Sequence, residues 1–183
     1  MSMPGDRFPI DATAPTLYLG YSSVLHRGEG FVDEAGTVTL DSGEQPFHLA
    51  HLLVDALAPY PCVQLVLTTA WVRTLGEERT AALLPDLLRE RVVGTTLRFP
   101  PRFGEMRDGT GRTGSILQHA WTSGIRTWLA LGDDLYGVPS ETTPHFLRVP
   151  SETGLATRRV LDALNGWLAA NGTTDSSPRG GSR

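Results

Sequence analysis

Three short apolar runs constrain the fold of this chain most strongly, because each stops abruptly at small or polar residues. The runs span residues 16–19, 63–67 and 127–131. Continuous apolar runs of this length are typical of strands that are buried on both faces in a parallel sheet. Between and after them, residues 49–57 and 160–168 repeat apolar side chains every three or four positions, as amphipathic helices do. Strands that alternate with helices predict an α/β layer structure with a mainly parallel sheet.

The remaining segments predict smaller features around that sheet. Residues 31–40 predict a β-hairpin after the first strand, because two β-rich pairs flank a turn near Gly36. Residues 98–114, rich in Pro, Gly and Arg, predict a long loop, and residues 115–122 predict a helix. We expect all four tryptophans to lie in the core: Trp71, Trp121, Trp128 and Trp167.

The chain length limits the number of domains. With 183 residues, the chain has room for one domain and short tails, since a domain takes roughly 150 residues. We expect a flexible N-terminal tail over residues 1–14 and a single domain over residues 15–170. Residues 171–183 contain no apolar side chain and predict a disordered C-terminal tail.

Composition excludes several classes of function. All 16 basic residues are Arg, which excludes a catalytic or phosphate-binding lysine, so a phosphate-binding cation must be an Arg. The net charge of -4 argues against a dedicated polyanion binder. Cys62 is the only cysteine, which excludes an internal disulfide and a zinc site with two thiolates. Without a long apolar run or a secretion signal, we expect a cytoplasmic protein with no membrane partner.

Polar or small residues follow each predicted strand at the point where the strand ends. They are Gly20 to Ser23, Thr68 with Thr69, and Asp133 with Asp134, while Arg112 lies at the end of the predicted loop. Ligands of parallel sheets bind beyond the carboxyl ends of the strands. Hydroxyl and guanidinium groups suit phosphate oxygens, and carboxylates suit a divalent cation. The sequence therefore predicts a phosphate-binding crevice at this edge of the sheet.

Four segments in this order carry a more specific resemblance: LYLGYSSVLH (17–26), LVLTTAW (65–71), GRTGSILQHAW (111–121) and WLALGDDLYGVP (128–139). Together they resemble the haloacid dehalogenase (HAD) superfamily, and in particular the HAD domain of Swiss Army Knife RNA repair proteins. The resemblance covers most of residues 16–170. It implies a Rossmannoid three-layer fold, mainly parallel in its sheet, with a small β-hairpin insertion after the first strand.

The resemblance also implies that catalytic groups are missing. The family has an Asp-x-Asp motif after its first strand, in which the first Asp attacks phosphorus and the second acts as general acid and base. Gly20 and Ser22 stand at those positions, and Gly132 stands where related sequences often have a further Asp. Glycine has no side chain, so no phospho-aspartyl intermediate can form at position 20.

Other groups of the family site are present. The resemblance assigns phosphate binding to Thr68 or Thr69 and to Arg112, which replaces the common lysine. It assigns metal binding, with Mg²⁺ as the cofactor, to Asp133 and Asp134.

We therefore expect a degenerate, non-catalytic HAD-like domain that binds a phosphorylated small molecule or a protein partner. One alternative is a Mg²⁺-dependent phosphohydrolase in which Asp133 or Asp134 activates water directly. Another is an accessory domain that binds RNA ends through Arg107 and Arg112, although nucleic acid is the less favoured partner.

Overall fold

The computed structural model describes residues 9–173, and a five-stranded parallel sheet lies at its centre. The strands are β1 (Thr16–Leu19), β2 (Gly30–Val32), β3 (Val38–Leu40), β4 (Gln64–Leu67), β5 (Val92–Thr95), β6 (Trp128–Gly132) and β7 (Phe146–Arg148). The helices are α1 (Ala50–Leu57), α2 (Trp71–Leu75), α3 (Glu77–Ala82), α4 (Asp86–Arg89), α5 (Phe103–Asp108), α6 (Gly111–Thr122) and α7 (Arg158–Asn171). The central sheet has the order β5-β4-β1-β6-β7, and every pair in it is parallel.

The register of the three inner strands fixes the edge at which a ligand can bind. Leu19 at the end of β1 pairs with Leu67 of β4 on one side and with Leu131 of β6 on the other. The three strands therefore finish side by side, and the residues that follow them emerge at one edge of the sheet.

Alternating side chains of β1 enter different cores, as expected for a strand that is buried on both faces. Leu17 and Leu19 belong to an apolar cluster that includes residues of α1 and α7, whereas Tyr18 packs in a second cluster with Ile116 of α6. Helices thus cover both faces of the sheet. The predicted α/β class with its mainly parallel sheet is confirmed.

The predicted hairpin is also confirmed. Strands β2 and β3 pair antiparallel, with Phe31 opposite Thr39, and form a separate two-stranded sheet. The indole nitrogen of Trp71 donates a hydrogen bond to the carbonyl of Gly30 at 3.2 Å, which anchors the hairpin beside the start of α2.

The predicted long loop over residues 98–114 is wrong, because that segment contains α5 and the first turn of α6. The start of α5 is held locally: the Arg102 amide donates to the carboxylate of Glu105 at 2.7 Å. Gly109 ends the helix with a left-handed backbone, φ 76°. A short helix held by local hydrogen bonds carries no apolar periodicity, so its sequence does not reveal it.

Trp121 does not lie in the core, and this prediction is wrong as well. Its side chain is 90% exposed, because the buried stripe of α6 runs through Thr113, Ile116 and Ala120 instead. Trp71 and Trp128 are buried, and Trp167 packs partly buried against the first cluster.

Both predicted tails fall mainly outside the described residues, which exclude 1–8 and 174–183. Within the described part of the N-terminal segment, Gln64 binds Asp11: its side-chain amide donates to the Asp11 carbonyl at 2.8 Å.

Among residues 9–173, every helix is too short or too polar to cross a membrane.

A buried hydrogen bond links the sheet to α6. The Tyr18 hydroxyl lies 2.8 Å from Nδ1 of His119, and the two rings meet edge to face. Burial raises the pKa of Tyr18 and lowers the pKa of His119 to about 4. At neutral pH the hydrogen bond therefore joins an uncharged hydroxyl to an uncharged imidazole.

Tyr18→Phe should lower the free energy of unfolding by about 1 to 3 kcal/mol, because His119 Nδ1 would stay buried without a partner. Urea denaturation followed by circular dichroism measures this loss. Tyr136, which is 62% exposed, provides the matched control. Equal stabilities for Tyr18→Phe and Tyr136→Phe would contradict the proposed role of the bond.

Stability should fall as the pH drops below about 6.5, the ordinary pKa of histidine. Burial lowers the pKa of both His26 and His119 to about 4, so between these values the unfolded chain binds protons that the folded chain does not. The stabilisation is complete above about pH 6.5 and is lost progressively toward pH 4.

Urea midpoints between pH 7.5 and pH 4.5 test this expectation. His26→Leu should reduce the acid dependence relative to the natural chain, whereas His51→Gln, at an exposed position, should leave it unchanged. Parallel pH profiles for the natural chain and His26→Leu would exclude His26 as a source of the effect.

Candidate functional site

A cleft of about 1000 Å³ opens at the edge of the sheet where β1, β4 and β6 end. Eight of the residues singled out from the sequence line it: Gly20, Tyr21, Ser22, Thr68, Thr69, Arg112, Gly132 and Asp133. The shared register of the strands explains why residues so far apart in sequence meet here.

Arg112 supplies the cation of the cleft. It lies in the first turn of α6, and its Nη2 donates a hydrogen bond to the carbonyl of Leu131 at 2.5 Å. Burial lowers the pKa of Arg112, while Asp133 and then Asp134 oppose that shift. A guanidinium remains protonated in proteins even so. The cleft therefore contains a permanent positive charge that β6 holds in place.

Gly132 makes room for that guanidinium. A Cβ atom at position 132 would overlap both terminal nitrogens of Arg112. The guanidinium therefore fills the space into which any other residue at position 132 would project its side chain.

Gly20 leaves a different space open. A Cβ atom at position 20 would lie 3.4 Å from Nη2 of Arg112 and 3.6 Å from Oγ1 of Thr68, both ordinary contacts. A Cβ atom would fit there without displacing its neighbours. Because glycine has none, this volume between a guanidinium and a hydroxyl is free to receive part of a ligand.

The two threonines differ in what their hydroxyls do. The Thr69 hydroxyl accepts a hydrogen bond from the Trp71 amide at 3.4 Å, where α2 begins. The Thr68 hydroxyl is buried, and among residues 9–173 it has no hydrogen-bond partner. Thr68, which lines the cleft, is therefore the threonine whose hydroxyl has no hydrogen bond within the described residues, and the sequence alone did not distinguish the two.

Ser22 has a structural contact. Its Oγ accepts a hydrogen bond from the Gly30 amide at 3.1 Å, so it connects the turn after β1 to the hairpin. Gly30 also lines the cleft, which places the start of the hairpin at the mouth of the site.

The two predicted metal-binding acids differ in their positions. Asp133 lines the cleft, but Asp134 is exposed and its Oδ1 accepts a hydrogen bond from the Tyr136 amide at 2.7 Å. Among the side chains that the structure describes, which exclude that of residue 108, no three His, Cys, Asp or Glu gather where they could hold a metal ion. Mg²⁺ prefers near-octahedral oxygen coordination. In proteins it is often held by one or two carboxylates together with substrate phosphate oxygens and water. Asp133 and Glu29 both line the cleft, so they are the carboxylates that could contribute to such a site.

An apolar wall completes the cleft, and the sequence did not predict it. Phe31 comes from the hairpin, and the other members follow β5 or belong to α5: Leu97, Phe99, Pro100, Pro101 and Met106. Phe31 is 62% exposed and Met106 is 56% exposed, which is unusual for large apolar side chains. The sequence feature that could have predicted this wall is the interleaving of phenylalanines with arginines in the segment after β5.

The two arginines considered for RNA ends lie in different environments. Arg107 is exposed on α5, whereas Arg112 is partly buried in the cleft.

Residues 16–160 match the family described as the HAD domain in Swiss Army Knife RNA repair proteins. The match spans more than half of the chain. Comparisons with curated proteins and with solved structures gave no match.

Gly132→Ala should displace the guanidinium of Arg112 and lower the free energy of unfolding by about 1.5 to 3 kcal/mol, the range for a hydrogen bond to a charged group. Urea denaturation gives the value. Gly94→Ala is the matched control, since Gly94 also lies in a strand and its Cβ would meet only Ile10, at 3.8 Å. An equal effect of the two substitutions would show that Gly132 is not needed for space.

Proposed function

We propose that this chain, which belongs to the family of HAD domains in Swiss Army Knife RNA repair proteins, binds a phosphate-bearing ligand without hydrolysing it. One observation carries the proposal. The position expected to hold the aspartyl nucleophile is Gly20, and the volume left open there is bordered by the Arg112 guanidinium and the Thr68 hydroxyl.

The groups around that volume favour an oxyanion. A guanidinium offers a planar fork of donors that matches phosphate oxygens. The buried Thr68 hydroxyl adds a donor that is otherwise unpartnered within residues 9–173. Gly111, Arg112 and Ser115 place the N-terminal end of the twelve-residue helix α6 at the cleft. The positive end of a helix dipole supports an anion there.

The same groups argue against hydrolysis. Position 20 has no side-chain oxygen to form a covalent intermediate. Ser22 provides no carboxylate for general acid and base work, and its hydroxyl is engaged with the Gly30 amide. Removing the nucleophile of an enzyme that depends on one lowers the rate by about 10⁶ in the best-studied cases.

The apolar wall supports a ligand whose phosphate is attached to an apolar body. Phe31, Leu97 and Met106 offer exposed apolar surface along the cleft beside the polar floor. A phosphate monoester with an aromatic or apolar body would cover this surface, and free phosphate would not. The proposed ligand is therefore a small phosphorylated molecule with such a body.

Phenyl phosphate is the probe that matches this description. By isothermal titration calorimetry it should bind more tightly than inorganic phosphate, because its ring buries apolar surface. Arg112→Gln should weaken binding tenfold or more, since a hydrogen bond to a charged group contributes about 1.5 to 3 kcal/mol. Arg126→Gln, at an exposed position after α6, is the matched control and should bind as the natural chain does.

No inorganic phosphate should be released from the probe, with or without Mg²⁺. Release that requires Mg²⁺ and disappears in Asp133→Asn would favour the hydrolase that uses direct water attack. Absence of phenyl phosphate binding, together with salt-sensitive binding of an RNA end, would favour the accessory RNA-binding domain instead.

A further inference from the structure

We infer that Arg73 forms a second anion subsite in the cleft, so that the ligand carries a second anionic group besides the phosphate at Arg112. The inference rests on the proposed function and deepens it, because it adds a charge requirement to the phosphorylated ligand. The second group is a carboxylate or a further phosphate, since a guanidinium binds both through the same planar fork of donors.

Helix α2 places Arg73 at the cleft. The three apolar side chains of this helix are buried, which leaves Arg73 and Thr74 on its exposed side. Both residues line the cleft. Arg73 therefore adds a guanidinium, and Thr74 a hydroxyl, to the wall of the same cavity that Arg112 enters from α6.

The fold does not use the guanidinium of Arg73. Within residues 9–173 it forms no ion pair and no hydrogen bond. Other arginines nearby in sequence do have partners: Arg79 donates to the Glu34 carbonyl at 2.9 Å, and Arg89 pairs with Asp86 at 2.9 Å. The charge of Arg73 is therefore available to a ligand.

Two carboxylates also line the cleft, those of Glu29 and Asp133. In the part of the chain that the structure describes, neither forms an ion pair with Arg73. Asp133 instead favours the charged form of Arg112. Attraction between exposed charges that are not in contact is weakened by salt. An anionic group on the ligand is therefore the partner that Arg73 lacks.

The two arginines reach the cleft from opposite sides of β1. Arg112 is held at the Leu131 carbonyl of β6, whereas α2 follows β4. Because β1 lies between these two strands, β4 and β6 are about 10 Å apart. The cleft volume of about 1000 Å³ is at the upper end of the range for drug-sized ligands. This geometry suits an extended ligand whose two anionic groups lie at separate positions.

Aryl phosphates that share one ring test the inference by isothermal titration calorimetry on the full chain. Two probes carry a second anionic group, namely para-carboxyphenyl phosphate and para-phenylene bisphosphate, and para-carbamoylphenyl phosphate is the uncharged analogue of the first. At least one of the two charged probes should bind about three- to fivefold more tightly than the analogue, as an exposed ion pair allows. The probe with the larger gain identifies the second group as a carboxylate or a phosphate.

Arg73→Gln should abolish this gain and leave the affinity for phenyl phosphate within about twofold of the natural value, because Arg112 is unchanged. Arg126→Gln, at an exposed position outside the cleft, is the matched control and should keep the gain. The urea midpoint of each variant verifies that it is folded. The gain should also shrink between about 50 and about 500 mM NaCl, since an exposed pair is screened.

Equal affinity of all the para-substituted probes would overturn the inference and leave the proposed function intact. So would a gain that persists in Arg73→Gln. An equal loss of affinity for every probe in that variant would show that Arg73 binds the first phosphate, which contradicts a second subsite. If no probe binds to the natural chain, both the inference and the proposed function are wrong.

Discussion

The parallel register of β1 with β4 and β6 is the constraint on which the rest of the structure depends. Because Leu19, Leu67 and Leu131 finish at the same level, the next residues of three strands form one row at the edge of the sheet. Helix α6 then brings Arg112 to that row from the second face of the sheet. A shift of β6 by one residue would exchange its buried faces and separate Gly132 from Arg112. The same strand register is therefore required both for the packing of the core and for the geometry of the cleft.

Much of this arrangement could be predicted from the sequence. Strands β1, β4 and β6 are nearly continuous apolar runs, and apolar runs in a parallel sheet place their following residues at one edge. That reasoning singled out Gly20, Thr68 and Asp133 without knowledge of any contact, and all three line the cleft. The positions of these strands can be predicted because burial of their apolar side chains determines where they lie in the fold.

The features that could not be predicted depend on local hydrogen bonds or on the path of one long side chain. Helix α5 is held at its start by the Arg102 to Glu105 contact, which leaves no trace in hydrophobic periodicity. The Thr69 hydroxyl has a hydrogen bond because of the turn into α2, and the Thr68 hydroxyl has none within the described residues. The sequence does not reveal the geometry of that turn, so the two threonines look equivalent in it. The fit of Arg112 over Gly132 joins residues twenty positions apart and depends on packing between α6 and β6.

The charges around Arg112 decide what can approach the open volume at position 20. Asp133 and Asp134 both favour the charged form of the guanidinium. Asp133 lines the cleft, whereas Asp134 accepts a hydrogen bond from the Tyr136 amide. Gly20 adds no side chain, so no carboxylate at position 20 stands between the guanidinium and that volume. A phosphate group at position 20 would therefore meet Nη2 of Arg112 directly, which is the electrostatic basis of the proposed binding.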